Sequence, residues 1–286
     1  YPQYPIERER LTAIPTIMAT APAPTTSEKY RQIRTIEIVD LMEAQGWLPM
    51  SITLSNTRIE DRKGFQKHMI RFRHVSSLQN VSVNSVFPEA VLTNSHDGTS
   101  AYKIMAGLFR LVCGNGMVVS AGVFETIRIV HLGLEPSMVA GRISEFGDRI
   151  SNVSKRIDTY KAIQLSPQER LLLAEAAIVA KLNPGEDVKI ERQPEVGRLQ
   201  IGNRVFNPAA LLRPVRPADE GESLWNTFNV IQEKITKGSR YEIDHPESRW
   251  ASPKRVRAIS GVDETVRVNR ALFHLLDNLA KAKGAN

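Results

Sequence analysis

The chain has 286 residues, 42% hydrophobic, 24% charged and 6% aromatic, with 38 Lys plus Arg against 31 Asp plus Glu for a formal charge of +7. That length supports one large domain or two ordinary ones. A single cysteine, Cys113, excludes an intrachain disulfide framework and a cysteine-rich zinc site, and a reducing cytoplasm is the expected compartment. No stretch approaches the roughly 20 apolar residues that span a bilayer, so a soluble protein without a membrane partner is expected.

The opening Tyr-Pro-Gln-Tyr-Pro lacks a basic-then-apolar order and reads as a trimmed N-terminus rather than a signal peptide. Residues 1–28, rich in Pro, Thr and Ala, have little to bury and predict a flexible leader. From Ser27 to Gln45, Ile33, Ile36, Val39 and Met42 recur at helical spacing, with Ser27 as N-cap and Gly46 as stop. The next residues, from Trp47 to Leu54, resemble the entry into a first strand. Residues 65–74 alternate as an antiparallel strand, with Phe65, Lys67, Met69, Arg71 and Arg73 on one side and His68, Ile70 and Phe72 among those on the other. Such a face suits a phosphate backbone, and equally a solvated sheet surface.

Short strands are expected between Val81 and Val91, followed by a polar loop from Thr93 to Ser100 that is dense in turn formers. Residues 100–112 fit either a helix or a strand; the extended form is favoured by Arg110, turning at Gly114-Asn115-Gly116 into Met117–Val119. Phe124–Val130 predicts one more strand and Ser137–Ile163 a long helix with a basic outer surface. Pro167–Leu182 predicts another helix, capped by Ser166 with Glu169 three residues on. Residues 183–222, rich in Pro, Gly and charge, predict a long irregular insert. Helices are expected at Ser223–Lys237 and Asp263–Lys283. Between them Lys237, Arg240, Arg249, Lys254, Arg255 and Arg257 interleave with Tyr241 and Trp250, as phosphate contact plus base stacking requires; a solvated loop pinned by one aromatic is the plainer alternative. The class expected is α+β: an antiparallel sheet core in the N-terminal half packed against helices (29–135), then a mainly helical half (136–286).

The sequence holds no Walker loop, no Gly-x-Gly-x-x-Gly, no Gly-x-Ser-x-Gly and no His-Glu-x-x-His. Catalytic candidates therefore reduce to the Asn94-Ser95-His96-Asp97 loop and Cys113. Adjacent side chains on an extended chain point apart, so His96 and Asp97 form no dyad by adjacency. A nucleophilic Cys113 needs His96 or His131 within about 3 Å, and a lone Cys among apolar residues reads as a small core hydrophobe. The loop reads better as a scaffold, in which Asn94, Ser95 and Asp97 accept backbone N–H groups while His96 and Arg110 face an anion. Arg110 pairs either with Asp97 or with a phosphate, and Asn115 supports a left-handed turn between two glycines. No cofactor and no metal are expected.

The run Leu92-Thr-Asn-Ser-His-Asp-Gly-Thr-Ser with Gly107-Leu-Phe-Arg-Leu-Val-Cys-Gly-Asn-Gly-Met-Val-Val resembles the signature of a large bacterial family of phage- and plasmid-like proteins of unknown function. Leu224-Trp-Asn-Thr-Phe-Asn-Val-Ile-Gln-Glu-Lys-Ile-Thr-Lys-Gly and Arg267-Val-Asn-Arg-Ala-Leu are similar to its later pattern, so the resemblance extends over about residues 30–280. The family commonly has Ser where this chain has Gly114. The resemblance transfers no catalytic residues, but it implies a role in DNA maintenance during transfer, recombination or establishment. The order of strands and then helices is also similar, loosely, to single-strand annealing proteins.

The leading expectation is a non-enzymatic, oligomeric binder of single-stranded nucleic acid, more DNA than RNA, that presents bases for pairing. Its backbone contacts are Lys67, Arg71, Arg73, Arg110, Lys254 and Arg255, and its stacking residues Phe65 and Trp250. One alternative is a partner-binding or inhibitory protein of a mobile element. Another is a metal-dependent nuclease built on His96 and Asp97 with Glu89 or Glu125, although such chemistry wants convergent carboxylates.

Overall fold

The computed structural model describes residues 4–30, 32–78, 86–110, 115–119, 127–129 and 156–285, with the backbone alone at 86–88, 106–110, 115–119, 127–129 and 218. The chain divides into two compact units, Tyr1–Ser154 with Ser260–Asp263, and Lys155–Ile259 with Glu264–Asn286.

Unit 1 is built on a six-stranded sheet, antiparallel at every pairing. Its strands are β1 (Trp47–Leu54), β2 (His68–His74), β3 (Val86–Asn94), β4 (Tyr102–Arg110), β5 (Asn115–Val119) and β6 (Ile127–Ile129). The first five are neighbours in chain order, while β6 pairs with the start of β4 and β5 with its end. The choice between helix and strand at 102–110 falls to the strand. Asn115 lies opposite Arg110, so it belongs to β5, and the link between the strands falls on 111–114, outside the described residues.

Before the sheet stand α1 (Arg8–Thr12), α2 (Pro15–Met18) and α3 (Thr35–Ala44). The segment expected to be a flexible leader is instead tied down. Leu11, Ile17 and Ala23 are buried, Ile6 N–H donates to Pro49 O at 2.7 Å, and Ala23 N–H donates to His96 O at 2.8 Å. A few apolar anchors spaced along a Pro-rich segment suffice when each finds a seat, which composition alone does not reveal. The helix expected from Ser27 begins only at Thr35; before it, the Tyr30 hydroxyl donates to Ser95 O of the polar loop and the Gln32 amide donates to Ala19 O of the leader. Its stop at Gly46 is as expected. With φ at +81 and a would-be Cβ 2.9 Å from His74 Nε2, any side chain there would strain the backbone and push the His74 ring aside, so glycine is favoured.

Unit 2 contains helical residues 156–162 (α4), α5 (Pro167–Leu182), β7 (Ile190–Gln193), β8 (Arg198–Ile201), β9 (Arg204–Phe206), α6 (Leu224–Lys237), β10 (Arg240–Asp244), β11 (Ser252–Arg255) and α7 (Val262–Ala282), the last beginning in unit 1. The α5 capping box is formed as its sequence requires, with Glu169 N–H on Ser166 Oγ at 3.3 Å and Ser166 N–H on Glu169 Oε2 at 2.7 Å. The expected irregular insert at 183–222 instead supplies three strands of a five-stranded antiparallel sheet, ordered β11-β10-β9-β8-β7. Its strands have three to five residues, too short for alternation to register. Tyr160, Trp225, Phe228 and Phe273 form one aromatic cluster in the core of the unit. The class is therefore α+β, with a sheet in each unit and a long helix near the C-terminal end.

Candidate nucleic-acid interface

The face of β2 expected to meet phosphates is not a surface. β2 lies between β1 and β3, and its residues from His68 to Arg73 are all buried on both sides of the sheet. Arg71 and Arg73 are 8% and 1% exposed. Glu89 lies directly opposite Arg73 in the β2–β3 pairing, and its two oxygens receive Arg71 Nε at 2.6 Å and Arg73 Nη2 at 2.8 Å. The two cations of the expected groove are thus held inside the fold on a buried carboxylate. Lys67 Nζ is likewise engaged, donating to both oxygens of Asp263 at 2.7 and 2.9 Å. Phe65 is half-buried in the turn before β2, its carbonyl accepting His96 N–H at 2.9 Å. Alternation marks which residues share a face, but not whether that face is covered. Arg110 ends β4; its side chain, and that of Asn115, lie outside the description, as do Cys113, His131, Glu125, Arg142 and Arg149.

In the polar loop Asp97 and Ser95 accept backbone N–H groups as expected, but His96 does not face an anion: its ring is fully buried with Nε2 on Thr35 Oγ1, because the loop packs over the sheet rather than opening to solvent. Asp97 Oδ1 accepts the Thr99 N–H at 3.1 Å and its hydroxyl at 2.6 Å, closing a local turn whose Gly98 has φ at +75. Burial pushes the Asp97 carboxyl up, but the Thr99 donors, the Ser95 hydroxyl and the field of Arg62 outweigh it and hold the group below its ordinary value. Burial against the loop also pushes the Tyr30 phenol up to about 12, with Asp97 adding to the effect.

Beneath the loop lies a buried network centred on Thr35, the first residue of α3. Its Oγ1 is 2.9 Å from His68 Nε2, 3.0 Å from His96 Nε2 and 3.2 Å from Asn94 Nδ2. On the other side of the His68 ring, Nδ1 is 3.2 Å from Gln66 O and 3.3 Å from Thr16 Oγ1, whose own proton goes to Gln66 O. Both neighbours of Nδ1 are acceptors, so Nδ1 carries the proton and Nε2 accepts from the Thr35 hydroxyl. Thr35 Oγ1 then receives from His96 Nε2–H and from the Asn94 amide, which completes its capacity. Burial drives the His68 ring down to about 4, opposed by its bond to the Gln66 carbonyl, so the ring is neutral near pH 7. Thr16, Thr35 and His68 escape sequence reading because they are distant in the chain and individually ordinary. Among the described residues no three His, Cys, Asp or Glu side chains converge as a metal site, and no helix is long and apolar enough to cross a membrane.

The second basic segment is different. β11 is an edge strand of the unit 2 sheet, and all its residues are exposed. Trp250, in the turn before it, is 72% exposed, and the Arg249 guanidinium lies 5.0 Å from the centre of its ring. The turn is ordered by Ser248 N–H on His245 O, Ala251 N–H on Ser248 O and Trp250 N–H on Ser248 Oγ. Arg240 of β10 stands directly opposite Arg255 of β11. Like charges in that relation repel, and neither guanidinium has a carboxylate partner among the described residues; Arg255 instead reaches Lys237 O at 3.4 Å. Arg257 is exposed just beyond, and Lys254 has only a loose approach to Asp244 at 3.8 Å. The exposed acid of the turn is Glu247, while Glu242 is consumed by Arg204 at 2.7 and 3.0 Å. Of the sequence-expected contacts, Trp250, Lys254 and Arg255 are therefore all exposed along this hairpin, as are Arg240, Arg249 and Arg257.

Comparison with known proteins bears on family and not on this surface. No solved structure matches the chain. The UPF0380 proteins YafZ and YfjQ of Escherichia coli (strain K12) are each 31% identical over 276 residues, covering 96% of this chain and 92% of theirs. Residues 24–273 match the family described as "Domain of unknown function (DUF932)", nearly the whole of both units, and the chain belongs to that family.

Proposed function

We propose that the protein binds single-stranded nucleic acid, DNA rather than RNA, through the β10–β11 hairpin, without itself making or breaking bonds. The observation that carries this is the unneutralised Arg240–Arg255 pair at the base of the hairpin, with exposed Trp250 in the turn at its other end: a phosphate between the guanidiniums removes their repulsion, and a base further along the strand has an aromatic face to stack on. Pro253 and the cations of β11 also blunt that sheet edge against strand addition by another chain, which favours a polyanion over an extended peptide there. The resemblance to phage- and plasmid-like proteins supports a setting in DNA transfer or recombination inside the cell. Annealing by an oligomer that presents bases along a shared strand is the activity such a surface serves.

Fluorescence anisotropy with a labelled oligothymidylate tests this. Arg240→Glu with Arg255→Glu should weaken binding by well over tenfold at low salt, and Trp250→Ala by roughly tenfold, within the 1–3 kcal/mol range of base stacking. The same double reversal at exposed Arg213 and Arg270 changes net charge equally and should matter less. Equal weakening by both reversals would leave only nonspecific attraction to total charge, and the hairpin would have to be given up as the interface.

A further inference from the structure

Resting on the reading of the hairpin as the nucleic-acid surface, we infer that Lys181 is the positioning residue that fixes the base of that hairpin to the C-terminal ends of α5 and α6. Its Nζ donates to Ile235 O in α6 and to Arg257 O just past β11, at 2.7 Å each. Carbonyls in the last turn of a helix have no intrahelical partner, and a cation there also meets the negative end of the helix dipole. The α5 end is held in turn by Arg267, which donates to Ala180 O and Lys181 O at 2.8 Å each.

The outer strand of the hairpin needs such a clamp because, unlike β10 with its buried Tyr241, it buries nothing of its own. Every residue of β11 is exposed, and Val256 is the buried apolar anchor at its exit. The exit strand crosses directly over Gly238, where a Cβ would stand 2.5 Å from Val256 O and 2.6 Å from Ala258 N. Val256 N–H donates to Ser239 O at 2.9 Å and Ile259 N–H to Thr236 O at 2.8 Å, so these two amides report whether the crossing is closed. The groups around the ammonium are Glu264 and Arg267 from α7, Arg204 from β9 and Arg257 itself. Burial holds the Lys181 amine down at about 8; Glu264 opposes this and Arg204 adds to it. The closed crossing therefore holds the ammonium proton less tightly than an opened one would, so closing is favoured further as pH rises through that value.

The test is amide exchange at Val256 and Ile259 in the full chain, for wild type, Lys181→Met and Lys181→Arg, with the β8 amide of Leu199 as reference. Lys181→Met should speed exchange at both reporters by about tenfold or more, leave Leu199 unchanged and weaken oligothymidylate binding, and Lys181→Arg should restore both. Between pH 7 and pH 9, wild type should gain reporter protection once the intrinsic pH effect is removed, while Lys181→Arg should not. Unchanged protection in Lys181→Met overturns the inference whether or not the protein binds nucleic acid. A wild type that binds no oligonucleotide defeats the functional reading alone. If Lys181→Met does not fold, the pH comparison decides, and the same pH dependence of protection in wild type and Lys181→Arg overturns the clamp.

Discussion

Lowering the pH from 7 to 5 should destabilise the protein by about 2 kcal/mol through His68 alone. In the unfolded chain this ring titrates at 6.5 and in the folded one at about 4, so between those values the unfolded state binds a proton that the folded state refuses. Stability is present above the unfolded value and is lost as pH falls toward the folded one. At one pKa unit per 1.36 kcal/mol the loss reaches about 3 kcal/mol near pH 4. The structural cause is specific. Nδ1 is already protonated, so the second proton must enter at Nε2, where it faces the Thr35 hydroxyl proton with both Thr35 lone pairs already taken. Urea unfolding of wild type and His68→Gln at pH 7, 6 and 5 isolates the contribution: the variant starts less stable but should lose about 2 kcal/mol less over the interval. The ring proton resonances of His68 should remain in the neutral position down to pH 5. A ring titrating near 6.5 in the folded protein, or parallel losses in wild type and variant, would refute the buried neutral network.

Glu89→Ala should cost about 3–5 kcal/mol in denaturant unfolding, because it strips the carboxylate shared by two buried guanidiniums. Arg71→Glu with Arg73→Glu should fail to fold rather than merely weaken DNA binding, as circular dichroism would show, since it buries three carboxylates together. Asp97→Ala should cost about 0.5–2 kcal/mol through the Thr99 turn, with denaturant midpoints as the measure. Ser166→Ala should cost about 1 kcal/mol by undoing the α5 capping box, and Ser166→Asp should recover most of it.

Much of the fold was legible where local chemistry acts alone. Ser166-Pro167 with Glu169 determines the start of α5, Ser223 caps α6 through Asn226 N–H at 3.1 Å, and Gly46 and Gly238 stop their helices. The polar loop was legible as a scaffold for the same reason, since Asp97 and Thr99 are two residues apart. What escaped depends on distant partners. The leader's Leu11 and Ile17 are unremarkable until their seats exist, and Thr35 becomes a hub only once the second and third strands bring His68 and Asn94 to it. The strands β7 to β9 escaped because three or four residues carry no measurable period; their Gly197 and Gly202 turns, both at positive φ, were the available signal.

Two cationic segments looked alike in the sequence, and strand position separates them. A central strand pairs on both edges and, in a sheet covered on both faces, can keep an arginine only by giving it a buried acid; Glu89, in register opposite Arg73, is that acid. At the exposed side of the second sheet, Arg255 of the edge strand and Arg240 of its neighbour β10 both reach water, so they can face each other without internal compensation, at the cost of a repulsion that a bound anion relieves. The same reasoning says which cations a ligand can recruit. Breaking the Arg71–Glu89–Arg73 cluster to reach a phosphate would leave a buried carboxylate alone, whereas engaging Arg240 and Arg255 breaks no carboxylate pair. Binding should therefore track the edge cations in salt dependence and mutation, while the central ones govern only stability.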